Sequence, residues 1–192
     1  MNKKALGKMV WIGVSGHRFL TEFEKLQTGV DQALVRIEQA FPGQDMSVVS
    51  SLAEGADRLV AQRALLRGAR LIVPLPLPQE DYLVDFTTPG SQQEFQELLA
   101  RAAEVITLPP AETRNAAYEA AGLYVLDHCD VLLVVWDGQG AQGQGGTGAI
   151  VAEARHRGLP LAWVKCGNRK PGTDAAVSLG EEQGELSIER LN

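Results

Sequence analysis

Apolar and polar positions alternate in blocks along this chain. Short, nearly continuous apolar runs suit strands covered on both faces, and between them apolar residues recur at the period of a helix with one buried side. Met9–Val14 reads as the first strand. After it, Phe23, Leu26, Val30, Leu34, Ile37 and Phe41 keep helical spacing, with Thr21 placed as N-cap, Glu24 as its capping-box partner and Pro42-Gly43 as the stop. Met46–Ser50 predicts strand two, and Ala56–Leu66 a helix closed by Gly68. Leu71–Leu75 predicts strand three. The connection Pro76–Gly90 is 15 residues long, a length that marks a lid or binding loop. A helix over Ser91–Ala103, strand four at Val105–Leu108, a helix over Asn115–His128 and strand five from Val131 follow. The chain continues with a helix over Ala149–Arg157 and strand six at Leu159–Val164.

This alternation predicts an α/β fold: a Rossmann-like three-layer α/β/α domain with a mainly parallel sheet of six or seven strands. The expected strand order is 3-2-1-4-5-6, with the switch point between the first and fourth strands. The expected core is Val10, Ile12, Val14, Val48, Val49, Leu71, Ile72, Val73, Val131, Leu133, Val135, Leu161 and Trp163. No internal repeat or second domain is visible, so residues 1–166 form one domain and 167–192 a polar tail. Within that tail Leu186-Ser187-Ile188 can add one short edge strand.

The most informative stretch is Val131–Gly138, an apolar run ending in Asp137-Gly138, followed by Gly143-Gln144-Gly145-Gly146-Thr147-Gly148 and a helical pattern. A strand, a glycine loop and a helix start together make an anion site, because unpaired N–H groups and the positive end of the helix converge there. The competing reading is a plain strand-to-helix turn with spare glycine. Other strand ends carry polar residues too: Ser15-Gly16-His17-Arg18, then Ser51 with Glu54-Gly55-Ala56-Asp57, then Asp81-Tyr82 with Asp85-Phe86, then Arg114. In an open parallel sheet these all lie at one edge, where ligands bind. There Gly16, His17 and Arg18 suit a phosphate or base, or form a helix-leading turn with an exposed Arg. Glu54 suits a ribose hydroxyl, whereas Asp57 equally suits a helix-dipole partner. Tyr82 and Phe86 can stack on a base or belong to a solvated loop. Arg114 suits phosphate or pairs with a nearby carboxylate. Glu153 reads as a structural partner of Arg157 at i+4.

Charge and composition narrow the partners. The chain has 192 residues, 45% hydrophobic and 22% charged, with a formal net charge of −6. That balance argues against a mainly electrostatic grip on duplex DNA or anionic membrane and leaves a local basic pocket open; with no basic stripe in the chain, nucleic acid is not the expected partner. No run is apolar enough to span a bilayer, and the N-terminus has no signal-peptide core. Cys129 and Cys166 lack metal-ligand spacing and read as reduced thiols, so we expect a cytoplasmic protein with no metal and no resident cofactor.

At these segments the chain resembles the SLOG superfamily, Rossmann-like relatives of the Lonely-Guy cytokinin-activating enzymes and of DNA-processing protein A. The carriers are Gly13–Arg18, Ala53–Leu59, Asp130–Gly138 and Gly145–Gly148 with Ala154-Arg155. The resemblance implies a homo-oligomer, a dimer, and a nucleotide or nucleotide-derived ligand. Some relatives cleave a nucleoside monophosphate at its glycosidic bond, and others are sensors. The enzymes use Pro-Gly-Gly-x-Gly-Thr-x-x-Glu. Here the Glu position falls on Ile150 or Ala152, Glu153 is one residue late, and the proline is absent. The leading expectation is therefore binding without turnover, as a sensor or carrier. Its ligand contacts are expected from Ser15, Gly16, His17, Arg18, Ser51, Glu54, Gly55, Tyr82, Arg114, Asp137, Gly138, Gly145, Gly146, Thr147 and Gly148. The alternative is a phosphoribohydrolase releasing free base and ribose 5-phosphate, with Glu153 or Glu54 as carboxylate and Arg114 as partner.

Overall fold

A computed structural model describes residues 8–140 and 146–191. Its elements follow the alternation. They are β1 (Met9–Gly16), α1 (Phe23–Ala40), β2 (Asp45–Val49), α2 (Ala56–Leu66), β3 (Arg70–Leu75), α3 (Gln79–Leu83) and α4 (Pro89–Ala100), then β4 (Glu104–Thr107), α5 (Arg114–Asp127), β5 (Val131–Trp136), α6 (Thr147–His156), β6 (Leu161–Lys165) and β7 (Leu186–Glu189). The sheet has seven strands in the order β4-β3-β2-β1-β5-β6-β7. All neighbours pair in parallel except β7, which runs antiparallel to β6.

Side-chain alternation along the strands explains the three layers. In β5, Val131, Leu133 and Val135 enter a core with α1, α2 and α4, while Leu132, Val134 and Trp136 enter a second core with α5 and α6. A strand covered on both faces must be apolar at every position, as β5 is. The expected core residues are buried, apart from Trp163, which is half-buried and donates its indole N–H to the Trp136 carbonyl.

Two expectations need correction. The fourth strand does not lie beside the first. It extends the sheet beyond β3, so the direction of winding reverses between β1 and β5. The strand is short and mostly exposed, so nothing in its composition demands a central position. The Thr21–Glu24 capping box also does not form. Helix α1 starts at Phe23, and Glu22 ahead of it is left-handed (φ 53°) with no side-chain cap. The long connection is only partly loop: it contains α3, and α4 begins at Pro89 behind the Thr88 cap. The tail is stitched to the domain through β7 and through Gln183, whose side chain bonds Gly167, Leu179 and Thr21.

Candidate functional site

The switch point between β1 and β5 opens at the carboxyl edge of the sheet, and two neighbouring cavities lie there. The first, about 260 Å³, is walled by Tyr82, Phe86, Tyr118, Ala121, Val125 and Ile150, with polar groups from Ser15, Ser51, Asp57 and Asp85. The second, about 370 Å³, is more polar, with His17, Trp136, Asp137, Gln139, Asn168 and Arg169. Both are lined by Gly16, Arg18, Gly146 and Thr147.

Two glycines bring the chain into this corner. A Cβ on Gly16 would lie 2.4 Å from the Ala56 Cβ and 2.5 Å from the Val135 carbonyl, so only glycine lets β1 end between α2 and β5. Gly55 has φ +82°, and a Cβ there would meet the carbonyls of His17 and Arg18 at 2.4 Å. Gly146 differs. Its backbone is extended (φ −77°, ψ 163°), a conformation any residue adopts, so the left-handed backbone that can call for glycine is absent here. Gly145 lies outside the described residues.

At the start of α6 the N–H groups of Ala149 and Ile150 both bond to the Gly146 carbonyl. Among the described residues those of Thr147 and Gly148 have no partner, and no side chain caps the helix. This end carries a partial positive charge facing both cavities.

The His17 imidazole is 8% exposed. The Asp137 backbone N–H donates to its Nε2 at 3.1 Å. Asp137 Oδ1 also lies 3.2 Å from Nε2. Burial outweighs the pull of that carboxylate and holds the imidazole below its ordinary pKa, in the neutral form. Arg18 donates to Glu54 at 2.6 Å, and Glu54 also accepts from the Ser91 hydroxyl at 2.5 Å. Although burial opposes it, these bonds and the Arg18 charge hold the Glu54 carboxyl below its usual range.

Asp57 faces the first cavity and is buried. Burial raises its pKa to about 6, against the Ser50 hydroxyl, which donates to it at 3.1 Å, and against backbone N–H groups of Ala53 and Ser51. Tyr82 is 4% exposed, its ring edge-on to Phe86 and Phe95. Its hydroxyl has no hydrogen-bond partner among the described residues, and burial, then the Asp57 charge, raise its pKa.

The sequence-derived candidates therefore divide. Ser15, Gly16, Arg18, Ser51, Tyr82, Gly146 and Thr147 line the first cavity, and His17, Asp137 and Gly148 the second. Glu54, Gly55, Gly138, Arg114 and Glu153 line neither. Arg114 takes its carboxylate-pairing alternative: its guanidinium bonds Asp85, the Tyr118 hydroxyl and the Asp81 carbonyl, clamping the α3 segment to α5. Glu153 pairs with Arg157 at 2.7 Å on the outer face of α6. Sequence reasoning placed Asp85 at the binding edge without giving it a ligand contact, missed Tyr118 as a cavity wall and Asn168 and Arg169 from the tail, and ranked Asp57 below Glu54. The Gly-Ala-Asp run was the available signal for Asp57; the tail residues offered none beyond their charge.

Among the described residues no cluster of His, Cys, Asp or Glu suits a metal ion, and no helix is long and apolar enough to cross a membrane. The Cys129 and Cys166 thiols are unpaired, and burial pushes both up to about 12.

No protein-family model and no curated protein matches this chain. Among solved structures, DNA processing protein A from Streptococcus pneumoniae aligns over 92% of the chain, at 17% identity and a TM-score of 0.55. The chain spans only 54% of that protein. DNA processing protein A from Helicobacter pylori, described for its unique single-stranded DNA binding mode, aligns over 91% of this chain and 69% of its own. Its identity is 20% and its TM-score 0.52. The Moco carrier protein of Chlamydomonas rheinhardtii aligns over 85% of this chain and 79% of its own, at 17% identity and a TM-score of 0.43. The likeness holds at the level of fold: this is a Rossmann-like α/β domain of the kind found in DNA processing protein A. The exclusion of nucleic acid falls with it, since the Helicobacter protein uses this fold and binds single-stranded DNA. Net charge is a sum over the whole surface, and this chain's −6 coexists with Arg18 and Arg169 beside the open sheet edge.

Proposed function

We propose that this chain binds a nucleotide or nucleotide-derived ligand at these two neighbouring cavities and does not turn it over. The observation that carries this reading is the meeting of an aromatic-walled cavity with an uncapped helix start. The base and sugar would occupy the first cavity, beside Tyr82, Ser15 and Ser51. The phosphate would sit at Thr147 and Gly148, with Arg18 beside it; charge-assisted contacts of this kind are the stronger hydrogen bonds. The fold shared with the Helicobacter protein adds nucleotide units of single-stranded DNA to the candidates.

The test is calorimetry with AMP, GMP, CMP and UMP, each against its nucleoside and against inorganic phosphate. At least one monophosphate should bind, and at least tenfold more tightly than its nucleoside. Equal binding of nucleoside and monophosphate would remove the phosphate from the site, and no heat with any of them in folded protein would remove the reading.

Hydrolysis of a nucleoside monophosphate is the second reading, and Asp57 is what favours it. A buried carboxyl with a pKa of about 6, lining the cavity, can exchange protons near neutrality. Chromatography for free base after prolonged incubation with the four monophosphates distinguishes the two. Base release lost in Asp57→Asn would establish turnover.

A further inference from the structure

Among the described residues Arg18 is the one charged residue that lines both cavities. Its side chain is 46% exposed, and an arginine so exposed loses rotamer freedom when it meets an anion. Here part of that freedom is already restrained. Arg18 Nη2 donates to Glu54 Oε2 at 2.6 Å, and Glu54 Oε1 accepts from the Ser91 hydroxyl at 2.5 Å. One carboxylate oxygen is thus engaged by the site and the other by α4. The backbone is tied at the same place. The Ala56 N–H donates to the His17 carbonyl at 3.0 Å, and Gly55 packs against the Arg18 carbonyl.

An exposed ion pair ordinarily holds neither partner, because ordering two long side chains offsets the attraction. What differs here is the group behind Glu54. Arg58 Nη1 donates to the Ser91 hydroxyl oxygen and to the Ser91 carbonyl, both at 2.9 Å. A hydroxyl has one proton, and with the Arg58 N–H on its oxygen that proton is directed to Glu54. Arg58 is itself fixed, buried and bonded to the Leu52 carbonyl at 3.0 Å and to Glu94 at 2.9 Å. Yet its Nη2 is buried without a partner among the described residues. An apolar side chain could fill this space between α2 and α4 and strand no N–H, so packing alone does not account for a cation here. Burial opposes it, yet the bonds from Ser91 and Arg18 and the charges of Arg18 and Arg58 hold the Glu54 carboxyl below its usual range.

We infer that Ser91 and Arg58 are positioning residues, which act through Glu54 to hold the Arg18 guanidinium at the edge of both cavities for an anionic ligand. Neither they nor Glu54 line a cavity, so their effect on the ligand passes through Arg18. The inference rests on Arg18 as the anion's partner in the reading above. It adds that α4, a helix outside the site, sets the orientation of that side chain.

The experiment is guanidinium NMR on the full chain without ligand, which reads rotation about the Cζ–N bonds of Arg18, followed by calorimetry with AMP and adenosine. The Arg18 signals are assigned by their loss in Arg18→Lys. In the wild type, rotation should be at least about threefold slower for Arg18 than for Arg36, which is exposed on α1. In Ser91→Ala it should rise to within about twofold of the Arg36 rate. AMP affinity should then fall about three- to tenfold while adenosine affinity stays within about twofold. Ser91→Thr, which keeps the hydroxyl, should restore both. Should alanine disturb the start of α4, as thermal melting would report, Ser91→Thr and Ser91→Val have the same shape and differ in the hydroxyl. Arg18 rotation that stays slow in Ser91→Ala and Ser91→Val overturns the inference. So does an equal loss of AMP and adenosine affinity, which would leave Ser91 a part of the α4 fold alone. If loss of the hydroxyl frees Arg18 but the wild type binds no AMP, the positioning chain stands and the nucleotide reading falls.

Discussion

The β2–α2 and β5–α6 junctions have the same plan, a strand, a glycine-containing loop and a helix start, yet they are built oppositely. At β2–α2 most polar groups are used internally, although among the described residues Ser47 Oγ and Arg58 Nη2 are buried without a partner. Leu52 is left-handed (φ 57°), a conformation that costs a leucine about 1–2 kcal/mol. It is braced on both sides: its N–H donates to the Ser50 hydroxyl at 3.2 Å, and its carbonyl accepts from Arg58 Nε at 3.0 Å. Its side chain is fully buried, which offsets that strain by about 1.5–3 kcal/mol. Arg58, 2% exposed, further binds Ser91 and Glu94 and lies 4.3 Å from the Phe86 ring centre. At β5–α6 the helix start is uncapped and faces two cavities. One junction holds the edge of the sheet in shape; the other is left with hydrogen-bonding capacity for a ligand.

If that contrast is right, the largest losses of stability come from the first junction. Gly55→Val needs a positive φ and places a side chain against two carbonyls, and it should prevent folding at 25 °C. Arg58→Ala strands the Leu52 carbonyl, removes the donor to Ser91 and Glu94, and hollows the space beside Phe86. It should cost about 3 kcal/mol in urea unfolding, since each unmatched buried group costs roughly 1–3 kcal/mol. A loss below 1 kcal/mol would show that α4 is held mainly by Phe95 and Leu98.

Asp57 gives the same junction a pH dependence. Its carboxyl ionises near 3.8 in the unfolded chain and at about 6 in the folded one. The folded state therefore holds the proton more tightly. The stabilisation is complete below about pH 4 and is lost as pH rises through 6, a change on the order of 3 kcal/mol. Relative to Asp57→Asn, the wild type should lose stability between pH 4 and 6.5, measured by urea unfolding at each pH. A flat difference would place the carboxyl in contact with water.

The second junction should behave in reverse. Gly146→Val keeps an extended backbone within reach of valine and should cost no more than about 1 kcal/mol, the difference between good and poor N-cap residues. Its side chain would stand between the cavities, and monophosphate affinity should fall at least tenfold. Unchanged affinity would move the anion away from α6.

The fold was legible because β-strands buried on both faces must be apolar throughout, and Met9–Val14 and Val131–Trp136 are. The gathering of polar residues at one edge followed from parallel topology alone. What the sequence did not show was which of them face inward. Glu54 and Asp57 are three residues apart on one helix start, and only the three-dimensional positions of Ser91 and Arg18 turn Glu54 away into an ion pair while Asp57 faces the cavity. The place of β4 depends on a crossover that no local pattern encodes.

The smallest expected effect separates binding from hydrolysis. Glu153 sits two turns into α6, bonded to Arg157 in the i,i+4 arrangement, and lines neither cavity. Exposed helical pairs of this kind contribute about 0.3–0.5 kcal/mol, and Arg157 keeps a second partner in Asp127. Glu153→Gln should therefore lower stability by no more than about 0.5 kcal/mol and leave monophosphate affinity within twofold of wild type. A carboxylate that assists glycosidic cleavage must come within hydrogen-bond reach of the sugar, and from the outer face of α6 it cannot without unwinding the helix. Should free base be released by the wild type and not by Glu153→Gln, the first turns of α6 must rearrange when ligand binds, and the contrast between a finished junction and an open one would extend into the helix itself.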